Sequence, residues 1–351
     1  MKIGIRTVFK TENCGSYLQA WALKEQLSSD GNIVYFSDHR REYDKFTKKL
    51  ISVIKCCVRF KFERARGILK KRSDFKRHQR NLQVEAQGNE SDIYFFGSDT
   101  LWNLESDFFA QNISFFTGAD LDKPCYTYSM SIASTSREEF LKHSNVVKNI
   151  QKFKKIAVRD SHTEGVLQEF YPAESIVRTV DPTLLFDKDT YIRNFATRKI
   201  SERKTLVLYY FGSLPRNIWA EVQKFARKRN LQIVYIGLHD KEYDLSVVAS
   251  PENFISAFAN AEYIFTNTFH GCVFSTIFNK QFATDGIHKK KIEGFLEEFS
   301  LLDRVVASAE DLEKVMETPV DYERVNALVN EKRKASVEYL EACIREVRDH
   351  E

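Results

Sequence analysis

The sequence predicts an α/β protein of two doubly wound domains facing a cleft, with a C-terminal helix packing across them. Three observations lead there. Short apolar runs of strand length alternate with helix-period segments in both halves of the chain. A polar, charged stretch at 187–204 separates the two sets. The 351 residues exceed what one core of about 150 residues needs. The expected units are 1–190, 204–320 and a terminal helix at 321–351.

Taken in order, Lys2–Val8 alternates as a strand, and Thr11–Ser16 is a polar turn. Tyr17, Leu18, Ala20, Trp21, Leu23 and Leu27 then recur at helical spacing behind Ser16 as N-cap. Asn32–Phe36 supplies the next strand. The loop of such a βαβ unit faces the carboxyl edge of the sheet, where ligands bind in open α/β folds. Asn13, Gly15 and Ser16 are therefore candidates for the cleft, although a turn that only needs a glycine reads the same way.

From Lys45 to Arg80 the composition changes. Fourteen Lys or Arg face two acids, Glu63 and Asp74, with Phe46, Leu50, Ile54, Val58, Phe60 and Phe62 interleaved. A basic amphipathic stretch of this kind lies on an anionic membrane surface or draws in an anionic substrate; a solvated helical insertion packed on its apolar side reads alike. The following strand, Asp92–Phe96, runs into Gly97–Asn103. There Asp99, Trp102 and Asn103 form either a sugar-binding lip or a capping Asp beside a core Trp. Cys125–Ser131 is a strand and 137–153 a helical segment. Ile156–Val158 delivers Arg159 and the helix-capping pair Asp160-Ser161. Arg159 suits a carboxylate or phosphate, or an ion pair with a neighbouring acid. Val177–Phe186 contains Asp181-Pro182, and proline holds the preceding residue extended, so Asp181 is expected to end a strand.

The second half repeats the alternation: strand 205–211, helix 218–229, strand 232–236, helix 252–260, strand 263–265, helix 272–278 and strand 282–285. Its centre is Thr266-Asn267-Thr268-Phe269-His270-Gly271, a tight turn between strand and helix. The first amides of a helix lack partners and carry partial positive charge, so the turn is suited to a phosphate or carboxylate. His270 beside that anion can give or take a proton; a packed structural histidine is the competing reading. Asp321–Val347 is a long charged helix with one apolar side.

Composition excludes several classes. A net charge of +4 among 53 basic and 49 acidic residues does not indicate a nucleic-acid binder. No GxGxxG follows the first strand and no GxxxxGK[ST] occurs, which disfavours dinucleotide and P-loop enzymes. The six cysteines show neither CxxC nor metal-ligand spacing, so no metal is expected and a reducing cytoplasm fits best. No apolar run approaches 18 residues, leaving peripheral membrane contact through 45–80 as the expected extent of membrane association.

Four stretches in this order resemble the polysaccharide pyruvyl transferase family: Asn13–Ser16 with Leu18-Gln19-Ala20, Gly97-Ser98-Asp99 with Trp102-Asn103, Val158-Arg159-Asp160 with Asp181-Pro182-Thr183, and Thr268–Gly271 with Phe274 and Phe278. The resemblance implies a glycosyltransferase-B-like pair of Rossmann-like domains. It also implies transfer of the enolpyruvyl part of phosphoenolpyruvate to two sugar hydroxyls as a ketal, in bacterial capsule, exopolysaccharide or wall polymers. No cofactor is implied beyond phosphoenolpyruvate as donor substrate. The partner is a saccharide acceptor, lipid-linked or free. Carried over, His270 is catalytic and Arg159 clamps the donor, with Thr268, Phe269, Gly271, Lys290 and Lys291 around it. Asp99 or Asp181 activates an acceptor hydroxyl, and Asn13, Gly15, Ser16, Trp102 and Asn103 line the acceptor side. Family members with a pyruvyl donor often carry arginine two residues before the histidine, where this chain has Thr268. Helix amides, Arg159 and Lys289–Lys291 are expected to supply that charge. A glycosyltransferase using a nucleotide-sugar, and a non-catalytic carbohydrate-binding protein, are the alternatives from other classes.

Overall fold

Residues 2–6 carry alternating apolar side chains that become buried as β1 (Lys2–Arg6). The turn after it ends at Asn13, whose side chain accepts the Gly15 and Ser16 amides and so starts α1 (Cys14–Ser28). β2 (Ile33–Phe36) pairs parallel to β1, completing the crossover unit. The computed structural model describes residues 1–38, 46–84, 91–195, 198–238, 242–286 and 289–349, with the side chains of 46–49 left aside.

Two parallel sheets organise the chain. The first has the order β2-β1-β3-β4, with β3 at Ile93–Phe96 and β4 at Cys125–Thr127. Single bridges at Tyr126–Lys155 and Met130–Val158 carry it on to the pair β5 (Ile156–Val158) and β6 (Ile176–Arg178). The second has the order β11-β10-β7-β8-β9, from β7 (Thr205–Tyr209), β8 (Gln232–Ile236), β9 (Leu245–Val247), β10 (Tyr263–Thr266) and β11 (Gln281–Thr284). Strands buried on both faces read as unbroken apolar runs, as β3 and β7 do.

The C-terminal helix (Tyr322–Arg348) straps the two sheets together. Near its start, the Tyr322 hydroxyl donates to the Ser275 and Lys280 carbonyls in the second half. Further along, Ser336 accepts the Val180 amide at 3.0 Å, the Tyr339 hydroxyl donates to the Thr127 carbonyl at 2.9 Å, and Arg348 reaches Asn32 at 2.9 Å.

Several sequence expectations need correction. Cys125–Ser131 is a strand only to Thr127, because Ser129 takes φ 50° and breaks the extended run. The segment 137–153 forms two short helices, Arg137–Leu141 and Ser144–Ile150. Asp181 does not end a strand: β6 stops at Arg178, and Asp181 caps a 3-10 turn over Pro182–Leu185 by accepting the Thr183 amide. The linker stretch holds a helix, Lys188–Phe195, with Tyr191 and Phe195 buried against Trp21.

The basic stretch forms two helices, α2 (Phe46–Val58) and α3 (Phe62–Gln79); Lys45 lies outside the described residues. α3 is anchored by Phe75, which is buried against the Tyr17 ring. The apolar side of α2 is not packed away: Leu50, Ile51, Ile54 and Val58 are exposed. Among the described residues no helix is long and apolar enough to cross a membrane.

Candidate functional site

The centre of the site is the turn leaving β10. Thr266 donates its hydroxyl to the Tyr209 carbonyl at 2.6 Å and accepts the Thr268 amide at 3.1 Å. Thr268 caps the following helix (Phe269–Ile277), its hydroxyl accepting the Gly271 amide at 2.9 Å. Only glycine fits at 271, since a Cβ there would stand 2.0 Å from the Thr266 hydroxyl. Asn267 exchanges two 2.9 Å hydrogen bonds with the Phe211 backbone, pinning the turn to the end of β7. The Lys289 ammonium donates to the Asn267 carbonyl at 2.6 Å.

This turn places His270 against the other half of the chain. A Cβ on Gly15, in the first turn of α1, would lie 2.0 Å from His270 Nδ1. Glycine at 15 therefore lets the imidazole rest on the helix backbone. On its other side, His270 Nε2 is buried without a hydrogen-bond partner, 3.7 Å from the Asp181 carboxylate. Asp181 is 2% exposed. It also takes an Arg159 Nη1 bond at 3.1 Å and both the amide and hydroxyl of Thr183. Burial would raise its carboxyl; the facing imidazole and then Arg159 outweigh that and hold it well below the usual range.

The cleft in front of His270 has a volume of about 330 Å³. The first half contributes Thr11, Asn13, Ser16, Asp99 and Thr100, and the second Asn267, Thr268, Phe269, His270, Lys289 and Lys291, with Tyr209 and Phe211 along one wall. Ser16 donates to Asp99 at 2.8 Å, and the other Asp99 oxygen accepts the Thr100 amide at 2.9 Å. Lys291 keeps an exposed flank, yet crowding and then the neighbouring Arg159 lower its ammonium from the usual lysine value. Two lysines and a helix N-terminus on one wall, opposite a carboxylate on the other, suit an anionic group held beside a hydroxylated one.

The polysaccharide pyruvyl transferase family model matches residues 13–284, from the cap of α1 to the end of β11, and so takes in Asn13, Ser16, Asp99 and the His270 turn of this cleft. The chain belongs to the polysaccharide pyruvyl transferase family. It is thus a transferase by class. No curated protein matches the sequence significantly. Among solved structures, a protein of Listeria monocytogenes assigned as a UDP-N-acetylglucosamine 2-epimerase superposes with a TM-score of 0.56 at 9% identity, covering 100% of this chain and 97% of that one. Arabidopsis thaliana UGT89C1, complexed with quercetin, gives a TM-score of 0.53 at 11% identity, with 99% of each chain covered. The UDP-GlcNAc 2-epimerase of Methanocaldococcus jannaschii gives 0.50 at 12% identity over 92% and 94%. These similarities establish the fold, a glycosyltransferase-B-type pair of Rossmann-like lobes.

Within this pyruvyl transferase-family chain, Asn13, Ser16, Asp99, Thr268, Phe269, His270 and Lys291 meet in the cleft, with Gly15 under the imidazole. Other expectations are overturned. Trp102 is fully buried, its indole N–H donating to the Phe116 carbonyl at 2.7 Å, so it is core rather than lip. Asn103 turns away to accept from the Glu105 amide and the Thr135 hydroxyl. Lys290 lies on the exposed first turn of the next helix, Lys290–Glu298, and does not line the cleft. The Gly271 amide is taken by Thr268 and cannot hold a ligand.

Arg159 and Asp181 also sit elsewhere than expected. They face each other behind Phe269, with the guanidinium 4.5 Å over that ring, in a recess of about 10 Å³ that admits at most a water molecule. Arg159 Nε and Nη2 have no hydrogen-bond partner there. The residues missed were Thr11, Thr100, Tyr209, Phe211 and Asn267. Their signal was position: Tyr209 ends β7 and Phe211 follows it, at the edge where open α/β sheets bind ligands.

Proposed function

We propose that this transferase moves the enolpyruvyl group of phosphoenolpyruvate onto two hydroxyls of a saccharide, making a pyruvate ketal in a bacterial surface polysaccharide or its precursor. The observation that supports it best is His270: one nitrogen is turned to a buried carboxylate, and the residue lines a cleft carrying Lys289 and Lys291. Ketal formation needs a proton donor and an anion site within one small volume, and these are the groups that the cleft supplies.

In this reading Lys289, Lys291 and the first amides of the His270 helix hold the phosphate and carboxylate of the donor. The Phe269 and His270 amides have no protein partner among the described residues. His270, which faces Asp181, delivers a proton to the vinyl carbon. The carbon bearing the phosphate becomes oxocarbenium-like, and one sugar hydroxyl adds to it, passing its proton to Asp99. The carbon–oxygen bond to phosphate then breaks with its electron pair on phosphate. A second hydroxyl closes the ketal and its proton returns to the imidazole. One hydroxyl proton ends on the new methyl group and the other on inorganic phosphate, so the reaction balances. Proton transfer of this kind contributes roughly 100- to 10,000-fold. Thr268 replaces a fixed charge with a helix cap, and Lys291 offers the cation instead.

The test is phosphate release from phosphoenolpyruvate in the presence of saccharide acceptors. Release that needs both substrates and is lost in His270→Ala is expected. Nucleotide release from a UDP-sugar, with no phosphate from phosphoenolpyruvate, would overturn the reading in favour of glycosyl transfer.

A further inference from the structure

We propose that the α2–α3 hairpin is a docking device for an anionic lipid bilayer, entering the headgroup layer with the Phe60–Phe62 turn and the free face of α2. The first observation is the unburied apolar surface. Ile54 is 53% exposed, Val58 73%, Phe60 83% and Phe62 59%. Leu50, Ile54 and Val58 recur every four residues, so they stand in one row along α2, with Ile51 beside them. The row leads straight into the two phenylalanines, whose rings meet edge-on at 6.1 Å. Such a stripe costs solubility unless something covers it.

The turn itself points the same way. α2 ends with the Phe60 and Lys61 amides bonded back to the Cys57 and Cys56 carbonyls, and Phe60 takes φ 53°. That position normally holds glycine or asparagine, because a Cβ is unfavourable there. Here an aromatic ring occupies it and projects into solvent. Local stability alone would select against this residue, whereas insertion into a lipid interface favours it.

Charge selects the occupant. Residues 45–80 carry fourteen basic and two acidic residues, a surplus of twelve, against +4 for the whole chain; everything else is therefore net negative by eight. The basic charge is concentrated in this one segment, and an anionic surface would hold the molecule by it. Lys55, Arg59, Lys61 and Arg66 are exposed and pair with no acid among the described residues. Their stems can lie along the apolar face while the charges reach lipid phosphates. A second copy of the chain fits poorly, since a symmetric contact would press two such basic segments together. The base of the hairpin adjoins the cleft: Gln79 donates to the Thr11 carbonyl at 2.7 Å, and Thr11 lines the cavity. Docking would thus hold the cleft near the membrane, where a lipid-carried saccharide is presented.

The experiment is flotation of the purified full chain with vesicles of neutral phosphatidylcholine, or with about 30% phosphatidylglycerol added. Binding to the anionic vesicles alone, weakening as salt rises, is expected. Phe60→Ser with Phe62→Ser should cut partitioning at least about tenfold, and Arg66→Gln roughly fivefold, with unchanged melting temperatures. Absence of binding to anionic vesicles, or undiminished binding by the double Ser variant, would overturn the proposal. So would a concentration-dependent dimer that the double variant dissolves in the absence of lipid. Vesicle binding is read without substrate, so its failure leaves the pyruvyl-transfer reading standing, and the reverse holds too.

Discussion

Gly15 and His270 are separated by most of the chain, yet a single methyl group added at one would collide with the ring of the other. Gly15→Ala should therefore displace the imidazole while leaving a helix that favours alanine. The expected result is a fall in kcat of about 100-fold, the usual consequence of misplacing a reacting group by an ångström, with little change in thermal midpoint. Asp181 belongs to the same scale but behaves differently. Its carboxylate is the only hydrogen-bond partner of the buried Arg159 guanidinium among the described residues. Asp181→Asn should cost about 3–5 kcal/mol in urea denaturation, because it strands a buried cation, and should lower kcat together with stability. The folded Asp181 carboxyl lies below its unfolded value, so its stabilisation is complete above the ordinary carboxylate range. It is lost only as pH falls through the depressed folded value.

At the level of elements, α3 is tied to the helix Pro251–Asn260 of the second half through Glu252. His78 Nε2 stands 2.7 Å from that carboxylate, and Arg77 contacts it too. Burial opposes ionisation of Glu252, but His78 and its own helix-start amide bring it from 4.5 down to about 2. Its contribution is therefore present above pH 4.5 and drains away as pH falls towards 2. Glu252→Gln should remove about 1–2 kcal/mol of stability at neutral pH, after allowance for its partial exposure. It should also flatten the acid limb of the stability curve between those two values. Denaturant titrations at several pH values would show this, and parallel curves for the two proteins would refute it. The sequence marks 45–80 as one helical stretch but carries no trace of this tie, since Glu252 is one acid among many until the fold sets it beside His78.

For the whole molecule, the C-terminal helix decides whether the lobes act as one unit. Its apolar side, with Val325, Leu340 and Ile344 buried, joins the same core as β1 and α1. Tyr339→Phe removes one hydroxyl bond to the Thr127 carbonyl and should cost about 1 kcal/mol. If the helix couples the lobes, the loss will appear as a shift of a single urea transition monitored by tryptophan fluorescence and far-ultraviolet circular dichroism alike. Two transitions, with only the first-lobe signal moving, would show that the strap does not couple them. Its amphipathic period announces this helix plainly in the sequence, whereas its span across both sheets depends on contacts from Asn32 to Lys280.

Local chemistry determined much of this protein without reference to its fold. Apolar periodicity is a short-range property, so the alternating strands and helices, the strand–turn–helix around His270 and the amphipathic basic stretch could be read directly. The glycine between His270 and Cys272 likewise answers to neighbours within a few residues, whereas the cap of α1 falls at Asn13, three residues before the Ser16 that the sequence suggests. What only tertiary structure decided was which way side chains point at the strand ends. Trp102 and Ser16 are both polar-tipped residues near a sheet edge, but one fills the core and the other meets Asp99 in the cleft. Arg159 offers the same guanidinium to a ligand or to Asp181, and the choice fell to a chain segment 22 residues away. Burial and pairing are properties of the space between distant segments, and a linear pattern records only one side of each such encounter.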